Sequence, residues 1–119
     1  LIAGNPQLAL ILLKLFCKRI YDQKRRLRIL VIKDYNVRIA DVLLMYDEMN
    51  PSPNTADNTR ILNITVQDIS HWAGLSLDIT RTEINKYVEK RKIEVYESSI
   101  FIANIAELRR TVESKLSLN

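Results

Sequence analysis

The sequence predicts a mainly α fold with a small β-hairpin, built as one long helix followed by a winged helix-turn-helix. Three stretches carry that expectation. From Pro6 to about Lys33 neither Gly nor Pro interrupts the chain. Residues 64–93, ITVQDISHWAGLSLDITRTEINKYVEKRKI, read as two helices joined by a tight turn and followed at once by a strand. Residues 93–105, IEVYESSIFIANI, are rich in β-branched residues on either side of Glu97-Ser98-Ser99, which can turn.

The elements follow in order. Asn5 can cap a helix that Pro6 opens, where the missing proline N–H is not needed. At 1.5 Å per residue the uninterrupted stretch is roughly 40 Å of helix. Leu8, Leu12, Leu15 and Phe16 run along one side of it, followed by Ile20, Leu27, Leu30 and Val31. That helix is too long for a small core to cover, so its apolar stripe packs most simply against its twin in a homodimer. The alternative is a monomer whose helix folds back on the rest of the chain. The heptad is not clean, because Arg19, Asp22 and Arg26 stand where strict spacing wants apolar residues. Leu8–Leu13 is apolar all round, which in water calls for burial by more than one neighbour. Lys24–Arg28 reads as a solvated helix face in preference to the alternative, a basic face laid on DNA.

Asp34 then caps a further helix with apolar positions at Val37, Ile39, Ala40, Val42, Leu43, Leu44 and Tyr46. Met49-Asn50-Pro51-Ser52-Pro53-Asn54 ends it, and a polar loop runs to Thr59. Arg60–Ile64 can form a short strand. Thr65 and Asp68 make a capping box for the next helix, with Ile69, Trp72 and Ala73 on one face. Gly74 tolerates a left-handed helix end, Leu75 plugs the angle between the helices, and Ser76 caps the second helix. Strands on both sides of such a pair make a winged helix, whose second helix enters the DNA major groove. The organisation expected is 1–33 as a dimerisation helix and 34–119 as the DNA-binding domain.

Composition sets the remaining bounds. With 119 residues and 47% hydrophobic content, one modest core is feasible. A net charge of +4 and a pI near 9.3 permit a polyanionic partner. The charge is uneven: residues 1–38 hold nine basic groups against Asp22 and Asp34. The lone Cys17 excludes an intramolecular disulfide, fits a reducing, cytoplasmic setting, and reads as a small buried residue on a helix. No run reaches the ~18 apolar residues of a membrane span. The lone His71 has no second His or Cys nearby to complete a metal site. One His, one Cys and two Gly leave little material for a catalytic site, so no enzyme is expected.

The segment order resembles the C-terminal half of the Crp/Fnr family of bacterial transcription regulators. NPQLALILLKLFCKRI resembles the start of that family's dimerisation helix. Arg38-Ile39-Ala40-Asp41-Val42-Leu43-Leu44 resembles its RxAxxLL segment, and ITVQDISHWAGLS its LTxxDLAxxLGLS. The spacing onward through IFIANIAELRR lies on the family pattern without gaps. The resemblance implies a homodimeric winged helix on a two-fold double-stranded DNA site, with RNA polymerase as a further partner. It also implies an N-terminal effector-sensing domain absent from this chain, packed on the apolar collar at 8–13. No cofactor is expected in the chain itself.

The second helix departs from the family's SRETVSR start, which appears here as Ser76-Leu77-Asp78-Ile79-Thr80-Arg81-Thr82. Leu77 and Thr82 replace the two arginines, and Arg81 lies one position early, about 100° around the helix. Leu77 could touch a thymine methyl, Asp78 could accept from a cytosine amino group, and Arg81 could contact guanine or phosphate. Each has a plainer role open to it: packing, helix N-terminal stabilisation, and solvation. Ser76, Thr80, Thr82, Lys86, Ser98 and Ser99 are further DNA-contact candidates, with Lys90, Arg91 and Lys92 running toward the wing. Glu94 and Glu97 make that wing less welcoming to phosphate. They keep alive a second reading, a winged-helix interaction or assembly module that has lost DNA binding. On the dimer side the candidates are Leu8, Leu12, Leu15, Phe16, Ile20 and Leu27.

Overall fold

Local rules place the helix starts. In the computed structural model, which describes residues 5–50 and 57–117, Asn5 Oδ1 accepts the Leu8 N–H at 3.0 Å and Pro6 opens helix α1, Pro6–Val31. Asp34 accepts from the N–H groups of Asn36 and Val37 and starts α2, Tyr35–Met49. The capping box is complete: Asp68 N–H donates to Thr65 Oγ1 at 3.1 Å and Thr65 N–H donates to Asp68 Oδ2 at 3.2 Å, opening α3, Val66–Ala73. Ser76 Oγ accepts from Ile79 N–H and opens α4, Leu77–Glu89. Each cap satisfies a first-turn N–H that has no carbonyl partner within its helix. Residues 51–56 of the expected polar loop lie outside the described residues.

Strand β1 is Arg60–Leu62, and β2, Ile93–Val95, pairs with β3, Ile100–Ile102, as an antiparallel hairpin. β1 adds to the other edge of β3, giving a three-stranded antiparallel sheet in the order β1-β3-β2. The chain thus forms a mainly helical fold with one small sheet. Helix α5, Ile105–Ser117, is an element beyond those expected from the sequence. Its signal is present all the same, since Ile105, Leu108 and Val112 are buried at 3–4 spacing and Asn104 Oδ1 accepts the Glu107 N–H at 3.2 Å.

α2 is the central element, in contact with α1, α3, α4, α5 and β1. Its run Val37 to Met45 is buried except for the half-buried Arg38, as expected of a helix covered on every side. Ile39, Val42 and Leu43 meet Ile69 of α3, Ile84 of α4, the sheet isoleucines Ile93, Ile100 and Ile102, and Ile105 and Leu108 of α5 in one core. Fully burying each such side chain contributes about 1.5–3 kcal/mol.

α1 behaves as two halves. Its last turns join the core through the fully buried Ile29, while nearly every described residue from Asn5 to Tyr21 is exposed. The N-terminal half therefore does not fold back on the rest of the chain. Two further expectations are corrected here. Cys17 is exposed, because it lies on the half of α1 that no other described element covers. Lys24–Arg28 is not a uniformly solvated face: Arg25 is buried, with its guanidinium 2.6 Å from Asp41 Oδ1 and 3.0 Å from Glu48 Oε2. Arg28 reaches the same Asp41 oxygen at 2.8 Å.

Candidate nucleic-acid interface

The turn between α3 and α4 is built from backbone chemistry. Gly74 takes φ +66°, and Leu75 N–H then donates back to the Ser70 carbonyl at 3.1 Å. Ser70 Oγ donates to the Leu75 carbonyl at 2.6 Å, and Leu75 packs half-buried against the core. A Cβ added at Gly74 would stand 3.0 Å from Leu30 Cδ2, so the glycine also admits the close approach of α1. Arg38 ties the neighbouring chain ends together. Its guanidinium donates to the Ile32 carbonyl, at 2.7 and 3.0 Å, and to the Ala73 carbonyl at 3.1 Å.

α4 is held by one face and presents the other. Thr80, Ile84 and Tyr87 are buried, and the Tyr87 hydroxyl donates to the Asn36 carbonyl at 2.7 Å. Burial, with Asp34 and Glu83 nearby, raises the Tyr87 pKa well above the ordinary tyrosine value. Asn36 Nδ2 also reaches Glu83 Oε2 at 3.2 Å, which sets the helix against the start of α2. On the opposite face Asp78, Arg81, Thr82 and Asn85 are all exposed. Their 3–4 spacing puts them in one row. Asn85 was not among the expected contacts, although that spacing from Asp78 and Arg81 pointed to it.

The expected contact residues divide accordingly. Asp78, Arg81, Ser76, Lys86 and Ser98 are exposed, and Leu77 and Ser99 are half-buried. Thr82 is exposed while its hydroxyl donates to the Asp78 carbonyl at 2.9 Å. Thr80 departs from expectation: it is fully buried and its hydroxyl donates to the Ser76 carbonyl at 2.8 Å, so it packs the helix and presents nothing outward. Lys86 pairs with Glu83 at 3.0 Å and Lys92 with Glu107 at 2.9 Å, which ties down two of the basic groups. Arg81 and Asn85 border a cleft shared with Val66, Val88 and Val95, where α4 meets the β2–β3 hairpin.

The hairpin closes through Tyr96 N–H donating to the Ser99 carbonyl at 2.9 Å. The Tyr96 hydroxyl donates to Glu94, and that bond raises the tyrosine pKa while engaging one of the hairpin carboxylates. Between α4 and β2 the chain reverses through Arg91 at φ +58°, the one non-glycine residue with positive φ among the described residues. His71 is exposed and meets Trp72 edge-on, with ring centroids 5.9 Å apart. Among the described residues no cluster of His, Cys, Asp or Glu could hold a metal ion. Likewise, none of the described helices is long and apolar enough to cross a membrane.

No protein-family model matches the chain. No curated protein sequence matches it either. The architecture is that of the C-terminal part of CRP/FNR transcription regulators. A CRP/FNR-family transcriptional regulator from Thermus thermophilus superposes with a TM-score of 0.75 at 19% identity, covering 93% of this chain and 57% of that one. FixK2 from Bradyrhizobium japonicum gives 0.73 at 18% identity over 92% of this chain and 54% of that one. A CooA mutant from Carboxydothermus hydrogenoformans gives 0.74 at 16% identity over 93% and 51%. The chain thus spans about half the length of the solved structures it matches. At these identities the likeness is one of fold.

Proposed function

We propose that this chain is the dimerising and DNA-binding part of a transcription regulator of the CRP/FNR kind. In that division residues 1–33 are the segment that carries the dimerisation helix α1, and 34–119 the winged helix-turn-helix. The observation that carries the reading is the outer row of α4, Asp78, Arg81, Thr82 and Asn85, exposed on a helix whose other face is locked into the core. A recognition helix needs that combination, since base readout requires polar side chains on a rigid support.

In this reading α4 enters the major groove. Asp78 accepts from a cytosine amino group, Arg81 contacts guanine or phosphate, and Leu77 touches a thymine methyl. Ser76 and the free N–H groups at the start of α4 favour phosphate, as do Ser98 and Ser99, while Thr82 and Lys86 would do so by exchanging their present bonds to the Asp78 carbonyl and Glu83. Two copies joined through α1 would hold two α4 helices about one duplex turn apart, ~34–36 Å. An effector bound by a further domain would bias their spacing, and DNA affinity would follow as a population shift.

A second reading is an interaction module without DNA binding, favoured by the exposed Glu94 and Glu97 on the hairpin. Selection of bound duplexes from a random DNA pool at near-physiological salt separates the two. Enrichment of an inverted repeat with half-sites about one turn apart supports the regulator. A folded, dimeric protein that enriches no sequence supports the interaction module.

A further inference from the structure

Two polar side chains on the outward side of α4 are already engaged: Thr82 gives its hydroxyl to the Asp78 carbonyl, and Lys86 pairs with Glu83. The Asp78 carboxylate, the Arg81 guanidinium and the Asn85 amide have no partner among the described residues, and all three residues are exposed. The turn that carries Asn85 is held by the buried Ile84 and Tyr87. One turn further on stands the exposed Glu89, whose charge disfavours phosphate. This end of α4 is therefore poorly suited to backbone attraction, and what it offers a duplex is hydrogen bonding from Asn85. The three free groups also differ in kind. A carboxylate only accepts, a guanidinium only donates, and a side-chain amide does both. Base edges in the major groove differ in the same way: cytosine offers an amino donor, guanine two acceptors, and adenine a donor beside an acceptor.

We propose that Asn85 is a specificity-determining residue and reads adenine, its Oδ1 accepting from N6–H while its Nδ2 donates to N7. The proposal rests on the reading of α4 as a recognition helix and adds a base which that reading leaves unassigned. Asn85 lies seven residues beyond Asp78, about 10 Å along the helix axis, or about three base-pair steps at ~3.4 Å each. The adenine therefore stands within about three base pairs of the pair read by Asp78 in each half-site. Reversing the A·T pair places thymine O4 before the amide. That oxygen accepts from Nδ2 but gives Oδ1 no donor, so one half of the amide is left unpaired in the groove. Guanine leaves Oδ1 facing acceptors, and cytosine leaves Nδ2 facing a donor. Adenine alone satisfies both ends of the side chain.

The test compares duplexes selected from a random pool by the full chain and by its Asn85→Ala variant. Position 85 is exposed, and circular dichroism verifies that the variant is folded. The parent is expected to enrich adenine within about three base pairs of an enriched C·G pair. Asn85→Ala is expected to lower discrimination at that position about tenfold and to leave the other positions unchanged. On the selected operator, 7-deazaadenine at the same position removes the N7 acceptor. It is expected to weaken binding by the parent several-fold and binding by Asn85→Ala not at all. Base preferences shared by parent and variant overturn the adenine contact and leave the regulator reading standing. So does a variant that binds every sequence more weakly to the same degree, the mark of a phosphate contact. A folded, dimeric parent that enriches no sequence overturns both.

Discussion

At the scale of single residues, two backbone and side-chain details have measurable consequences. Arg91 holds a left-handed conformation at φ +58° because the chain must reverse between α4 and β2. A residue with a Cβ is strained there by about 1 kcal/mol. Arg91→Gly is therefore expected to raise stability by about 0.5–1 kcal/mol in urea unfolding, part of the gain being offset by added freedom in the unfolded chain. Tyr87 carries a pH dependence. Its folded pKa is raised, so above the ordinary tyrosine value of 10.0 the unfolded chain loses that proton while the folded chain keeps it. The contribution is fully present below about pH 10 and falls as pH rises beyond it. Tyr87→Phe should flatten the alkaline limb of stability against pH while lowering stability at neutral pH by about 1 kcal/mol through loss of the bond to Asn36.

The helix caps at Asn5, Asp34, Thr65 and Ser76 were legible in the sequence because a cap involves residues two or three apart. Thr80 was not, for the opposite reason. Its hydroxyl suggested an outward contact, whereas its 4–3 spacing with Ile84 and Tyr87 marked the inward face.

At the scale of elements, the joint between α1 and α2 is ionic. Arg25 and Asp41 are both buried, and Arg28 and Glu48 complete the cluster. Burial opposes the Arg25 charge, but its hydrogen bonds to Asp41 and Glu48 outweigh that and raise its pKa. Removing one partner strands the other charge in the interior. Asp41→Ala is expected to cost about 3–5 kcal/mol in denaturant unfolding, and an Arg25→Met, Asp41→Leu double variant much less. The joint could not be read from sequence, since Arg25 and Asp41 are sixteen positions apart and only the crossing of α1 over α2 brings them together. The strands were easier, because β-branched runs around a turn leave few options. The pairing of β1 with β3 was another long-range fact.

At the scale of the whole molecule, the protein is elongated, 58 × 31 × 28 Å, because α1 extends beyond the core. Leu12 and Leu15 are 41% and 60% exposed on that extension. Leu12→Glu with Leu15→Glu is expected to give a monomer by sedimentation whose unfolding midpoint does not vary with protein concentration, whereas the parent's midpoint should rise with it. The stripe itself was visible as periodicity. Which half of α1 the chain would cover was not, because that depends on where the core ends.

The buried Arg25–Asp41 pair has a mechanical consequence. It welds the foot of a 26-residue helix to α2, the central element of the fold. A rod of that length reaches about 39 Å, so turning its foot by only ~5° sweeps its free tip through about 3 Å. The helix is then a lever with its fulcrum at a salt bridge, and leverage works in both directions. By the same geometry, a side-chain-sized displacement of the distant end corresponds to a rotation of only a few degrees at the core.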